Sequence, residues 1–131
     1  MAQTTLVDKQ IDDGQTLASL LAESGFDVTA AFWLKTSEEG LWFLYIASRF
    51  VDDEGLAAGY RRLNAEMRAM PDLWVSPFEI KLIGARNPIA QDVLNVLGRH
   101  AAAIPTRYQG ARLGGVSIDE AYLYPPIPSH A

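Results

Sequence analysis

The chain has 131 residues, 49% of them hydrophobic and 21% charged, a balance that argues for one packed domain and against disorder. It contains no cysteine, which excludes disulfides, thiolate metal sites and a cysteine nucleophile. The formal net charge of −5 weighs against a general nucleic-acid binder, whose affinity rests on a dense basic surface.

A domain of this length buries roughly two-thirds of the surface its unfolded chain exposes, enough to fold without covalent staples. The opening stretch MAQTTLVDKQIDDGQ has neither the basic start nor the apolar centre of a secretory signal. No apolar run approaches the roughly 18 to 20 residues that span a bilayer. The expectation is a soluble cytoplasmic domain with no membrane partner. Charge is uneven along it: residues 1–59 carry ten acidic and three basic side chains, and residues 60–131 carry six acidic and eight basic.

In chain order, Met1–Asp12 reads as a flexible lead-in or a short edge strand. A helix is predicted from about Asp13, with Leu17, Leu20, Leu21 and Ser24 on one stripe and Gly25 just past its end. Two strand-like runs follow, Asp27–Thr36 and Leu41–Phe50, joined by the polar Ser37-Glu38-Glu39-Gly40. Alternation places Val28, Ala30, Phe32 and Leu34 on one face of the first run, with Ala31 and Trp33 on the other. In the second it separates Trp42, Leu44 and Ile46 from Phe43, Tyr45 and Ala47. Both faces are apolar, whereas a sheet with one wet face alternates more cleanly. Either helices cover both sides, or the second face is buried against another copy of the chain.

Asp52-Asp53-Glu54 is read as the acidic start of a second helix, with Leu56, Tyr60, Leu63, Met67 and Met70 as its buried stripe and Pro71 ending it. Phe78–Ile83 reads as a third strand. Asn87-Pro88 is a cap followed by a first-turn proline, opening a helix through Ile89, Val93, Val96, Leu97 and His100. Thr106–Tyr124 reads as two strands about the turn Gly114-Gly115, and Pro125-Pro126-Ile127-Pro128 as an extended tail. The predicted fold is a single α+β domain, residues 1–131, with an antiparallel sheet of about five strands and three helices in the order α-β-β-α-β-α-β-β.

Candidate chemistry is sparse. Asp52, Asp53 and Glu54 have the oxygens to hold a hard cation, but no EF-hand spacing surrounds them, and a helix-capping role explains them better. His100 and His130 are the two histidines, too few for a structural zinc site without cysteine. Gly84-Ala85-Arg86-Asn87-Pro88 joins a strand to a helix start, yet lacks the glycine spacing of a nucleotide loop. The serines sit in no nucleophile elbow. No catalytic residue, metal ligand or cofactor is assigned on these grounds.

The runs GFDVTAAFW, LWFLYIASRFVDDEG and AAGYRRL, with the closing GGVSIDEAYLY, resemble small bacterial single-domain proteins of no assigned function. The resemblance implies a compact α+β domain and brings no catalytic residue.

Two functional expectations follow from the residues themselves. The first is a non-enzymatic interaction or self-associating module, which pairs as a homodimer or with another protein. Its contact would be an apolar sheet face carrying Phe43, Tyr45 and Trp33, or an edge strand. The second is a small-molecule or anion-binding domain, with Arg49, Arg62, Tyr108 and Arg112 gathered near one end of the sheet.

Overall fold

Alternating apolar residues on both faces of a strand call for cover on both sides, and the computed structural model supplies it. It describes residue 6 and residues 8–69, 73, 75–99 and 106–124. Among these, β1 (Ala30–Thr36), β2 (Trp42–Ser48), β3 (Ile80–Gly84), β4 (Thr106–Leu113) and β5 (Val116–Leu123) form one five-stranded sheet in the order β3-β2-β1-β5-β4. Helix α1 (Asp8–Glu23) and helices α2 (Arg49–Glu54) and α3 (Leu56–Met67) pack on one face; α4 (Pro88–Arg99) packs on the other. The α+β class and the five strands agree with the sequence.

The sheet is mixed, and this corrects the antiparallel expectation. β1 pairs antiparallel with β2 and β5, and β4 with β5, but β2 and β3 run parallel, with Leu44 opposite Ile80 and Ser48 opposite Gly84. A parallel neighbour needs a long crossover rather than a hairpin. The chain between Ser48 and Ile80, through α2, α3 and a 3₁₀ turn at Pro77–Glu79, provides one. Strand alternation reports which face a residue takes and says nothing of the direction of its neighbour.

Each apolar face of the central hairpin is filled from within the chain. Trp33, Ala31, Trp42, Leu44 and Ile46 pack with Leu17, Leu21, Val51 and Leu63 of the helices above them. Ala30, Phe32, Leu34, Tyr45 and Ala47 pack with Ala90, Val93, Val96 and Leu97 of α4 on the other side. Phe32 and Tyr45, directly opposite in the ladder, stack with ring centroids 5.6 Å apart. At the rim of that face Phe43 is half-buried, and the Lys81 ammonium lies 4.3 Å from its ring centre. Lys81 is held there by both carboxylate oxygens of Glu39, each at 2.8 Å.

The first helix begins at Asp8, not near Asp13, so residues 8–12 of the expected lead-in are helical. The extra turn is secured by tertiary contacts: Ile11 is buried, and the buried Gln10 amide donates to Glu79 Oε2 at 3.0 Å. The expected second helix is two. Ser48, fully buried, caps α2 by accepting from Phe50 N–H at 3.1 Å, so the helix starts three residues before the acidic triplet. The chain then breaks at Gly55, whose φ of 92° is open to glycine and strained for other residues. That break re-aims the start of α3 and leaves Leu56 exposed, while Leu63 and Met67 keep their buried places. The third strand starts two residues later than expected, because Pro77, Phe78 and Glu79 form the 3₁₀ turn. Asn87 does cap α4, accepting from Ile89 N–H at 2.9 Å, and Gly114-Gly115 does turn the last hairpin. Met70, Trp74, His100 and the proline-rich tail lie outside the described residues.

Helix α1 sits unusually close to the sheet at Gly14. A Cβ on this residue would lie 2.5 Å from Tyr124 Oη and 3.1 Å from Trp33 Nε1. Those two atoms are bonded to each other at 2.8 Å, and the Tyr124 hydroxyl donates onward to the Ile11 carbonyl. Gly14→Ala should therefore destabilise the fold by about 1–3 kcal/mol through overpacking, although alanine is the better helix former. Urea melts of the two proteins check this; an unchanged or raised midpoint would contradict the close packing described.

Candidate functional site

Three of the four residues expected to form a ligand site fall into two places. Arg49 opens α2 and binds Asp27: its guanidinium reaches Oδ1 at 2.8 Å and its backbone N–H reaches Oδ2 at 2.9 Å. Arg62, on α3, donates to the Ser24 carbonyl at 2.9 Å and to Glu66 Oε1 at 3.4 Å. Both arginines thus hold the same connection, the one from α1 into β1. Arg112 lies elsewhere, opposite Ser117 beside the end of β1, and holds the hairpin tip through Ser117 Oγ (3.1 Å) and the Gly115 carbonyl (2.6 Å). The Tyr108 backbone is paired with Ala121, and its side chain lies outside the described residues. Register separates Arg49 from Arg112, since Arg49 follows the end of β2 that pairs with the start of β1.

The three residues expected at an interface are placed mainly inside the chain. Trp33 is fully buried beneath α1, Tyr45 is buried against Phe32, and Phe43 is half-covered by Lys81. Burial raises the Tyr45 phenol above its ordinary value, opposed by the nearby Lys81 charge.

A more organised arrangement stands at the carboxyl ends of the parallel pair. Leaving β2, the chain turns into α2 and α3 on one face of the sheet. Leaving β3, it turns into α4 on the other face. Connections that part in this way open a crevice beyond the strand ends, the usual ligand position in open sheets of parallel strands. Here the crevice has a volume of about 200 Å³ and is lined by Arg49, Asp52, Asp53, Ala85, Arg86 and Gln91.

Its walls are tied together. Asp52 Oδ2 accepts from Ala85 N–H at 2.8 Å, and the Gln91 amide donates to the Ala85 carbonyl at 2.7 Å. Gly84 lies so close to the Asp52 carboxylate that a Cβ there would overlap it. Asp52 therefore does not cap its own helix, as the sequence suggested; it bridges α2 to the turn after β3. The acidic triplet and the Gly84–Pro88 turn were each legible as local features. Their meeting depends on β2 and β3 lying side by side, which neither segment encodes alone. Arg86, Asp53 and Gln91 were absent from the expected site for that reason. The signal available was that two apolar strands, β2 and β3, each run straight into a helix start.

The Asp27–Arg49 pair sets the electrostatics next to this crevice. Partial burial pushes the Asp27 carboxyl up, but bonds from the Arg49 side chain, the Arg49 backbone and Thr29 outweigh it and hold the pKa below its ordinary 3.8. Among the described residues, no three histidine, aspartate or glutamate side chains gather as metal ligands, and no helix is long and apolar enough to cross a membrane. No known protein family, curated protein or solved structure matches the chain.

A carboxylate whose pKa is depressed by folding stabilises the native state above its unfolded value and loses that contribution as the pH falls through the folded one. Asp27→Asn should accordingly be less stable than the parent at neutral pH. The difference should hold down to the ordinary carboxylate value of 3.8 and shrink below it. Denaturant melts of both proteins across the acid range test this, and a gap that stays constant below that pH would refute the pairing.

Proposed function

We propose that the chain is a non-enzymatic, self-associating interaction module of the cytoplasm, and that its contact surface is built around Phe78 instead of the apolar sheet faces. The observation that supports this is the exposure of Phe78: 83% of the residue is open to solvent. The sheet faces, in contrast, are filled by the chain's own helices.

Phe78 is displayed on a stiff support. Ser76 Oγ accepts from Phe78 N–H at 3.1 Å, and Glu79 Oε1 accepts from Ser76 N–H at 3.0 Å, which closes a capping box around the 3₁₀ turn. The other oxygen of Glu79 takes the Gln10 amide, so the turn is fastened to α1 as well. A large apolar ring held rigidly outward loses little entropy when a partner covers it.

Against the turn that carries the ring runs a groove of about 470 Å³, lined by Met67, Leu73, Val75 and Pro77 with Asn64, Arg68 and Ser76 at its polar positions. A knob next to a hole on one surface suits a two-fold pairing, in which each copy inserts its ring into the other's groove. Burying one phenylalanine ring contributes about 1.5–3 kcal/mol. Two such insertions are modest against the entropy lost on association, so the dimer expected is a weak one, in the micromolar range.

The non-enzymatic part of the reading is supported by residue content: no cysteine, two histidines and no nucleophile elbow. Analytical ultracentrifugation tests the self-association. The parent should sediment as a dimer at high micromolar concentration, and Phe78→Ser as a monomer with stability changed by no more than about 0.5 kcal/mol. A monomeric parent, or a variant that dimerises as well as the parent, overturns the proposal.

A further inference from the structure

We propose that the crevice beyond the ends of β2 and β3 binds a small zwitterion of the α-amino acid class. This inference is independent of self-association through Phe78, which stands at the other end of β3, about 16 Å away at 3.3 Å per strand residue.

The inference begins with position. The crevice occupies the point where the connections from two parallel strands leave for opposite faces of the sheet, and its walls are fixed before any ligand arrives. Asp52 and Gln91 are both bonded to the Ala85 backbone, at 2.8 and 2.7 Å, and Arg49 to Asp27 at 2.8 Å. A site held in this way does not have to be ordered by its ligand.

Two lining groups make none of the bonds of that framework. Arg86 and Asp53 are exposed and make no hydrogen bond or ion pair among the described residues, although the Asp53 charge acts on Arg49 through space. They carry opposite charges and border the same small volume. A guanidinium is a planar fork suited to a carboxylate, and a carboxylate accepts from an ammonium group.

Charge and size narrow the ligand further. Arg49 and Arg86 stand against Asp27, Asp52 and Asp53, so the neighbourhood has no excess positive charge to draw in a simple anion. Arg86 equally disfavours a simple cation. A volume of about 200 Å³ corresponds to six or seven waters at about 30 Å³ each. That accommodates an amino acid with a short side chain and is too small for a nucleotide.

Calorimetric titration of the full chain with glycine, L-alanine and L-serine tests the inference, with acetate, inorganic phosphate and methylamine as probes carrying charge of one sign. At least one amino acid should bind at millimolar concentrations, and the one-sign probes should not. Arg86→Gln and Asp53→Asn should each weaken binding by about ten-fold or more, the effect of one lost charge-assisted bond. Both side chains are exposed, so thermal melts of the variants should match the parent and separate lost binding from lost folding. No heat with any of the three amino acids overturns the inference. Binding of phosphate, acetate or methylamine equal to that of the amino acids overturns it, as does binding that survives both substitutions. Repeating the titration on Phe78→Ser removes self-association as a variable, so the failure of one proposal is distinguishable from the failure of the other.

Discussion

A short line of buried hydrogen bonds fastens the first helix to the sheet. Trp33, at the centre of β1, donates its indole N–H to the Tyr124 hydroxyl, which donates in turn to the Ile11 carbonyl of α1. The residues involved are separated by 91 and 113 positions in the chain. Formation of the line therefore requires the helix, the central strand and the end of β5 to be in place together. A tyrosine hydroxyl in this position must find partners, because an unsatisfied buried polar group costs about 1–3 kcal/mol. Burial pushes the Tyr124 phenol well above its ordinary value, with the Trp33 bond opposing, so the group stays neutral at physiological pH and can act as a donor. Gly14 makes the approach possible. Once α1 is seated, Gln10 reaches Glu79, and the 3₁₀ turn that displays Phe78 is fixed by a helix far from it in sequence.

The second constraint is the divergence of helices at the parallel pair. Because α2 and α3 take one face and α4 the other, both apolar rows of the hairpin are covered without a second copy of the chain. The same divergence creates the crevice. One topological feature therefore removes the apolar sheet faces as a contact surface and supplies a concave, charged position in their stead. Edge protection follows too: the Leu82 N–H on β3 donates to the Tyr60 hydroxyl at 3.0 Å, and the Ile80 N–H to the Pro77 carbonyl. An edge strand with its donors engaged is a poor template for pairing with another chain. That turns attention from β3 itself to the turn that precedes it.

Local pattern made much of this legible. The two-sided apolar hairpin, the Asn87-Pro88 helix start and the Gly114-Gly115 turn rest on periods and turn chemistry carried by adjacent residues. The sequence was silent where the decisive contact is long-range. Gln10 falls in the expected lead-in and Asp13 at the expected helix start, and both are buried in α1. Asp52 looks like a helix cap, and it bonds a backbone N–H 33 positions away. Arg49 was singled out for its charge; it borders the crevice, and its partner Asp27 was not foreseen. Arg62 and Arg112 were grouped with it by residue type, and the fold gives each a different structural task. Phe78 was assigned to a strand, where alternation would have buried it. The capping box of Ser76 and Glu79 takes it out of the ladder and turns it to solvent.

Cation placement connects these points. Arg49 holds the entry to β1, Arg62 the same connection from α3, Lys81 covers Phe43 and Tyr45, and Arg112 closes the last hairpin. Each of these charges is engaged with a nearby carboxylate, carbonyl or ring, and their role is to fix loops and cover apolar rims. Arg86 differs. It sits at a turn whose backbone is already held by Asp52 and Gln91, so the turn needs nothing from its guanidinium. A charged side chain that the fold does not use, placed at the mouth of a crevice whose other walls are fixed, is free to meet something from solution. Among the basic side chains described in the second half of the chain, Arg62, Lys81 and Arg112 are engaged in this way, and Arg61, Arg68 and Arg86 are exposed. Of those three, Arg86 is the one that topology places at the crevice beyond the strand ends.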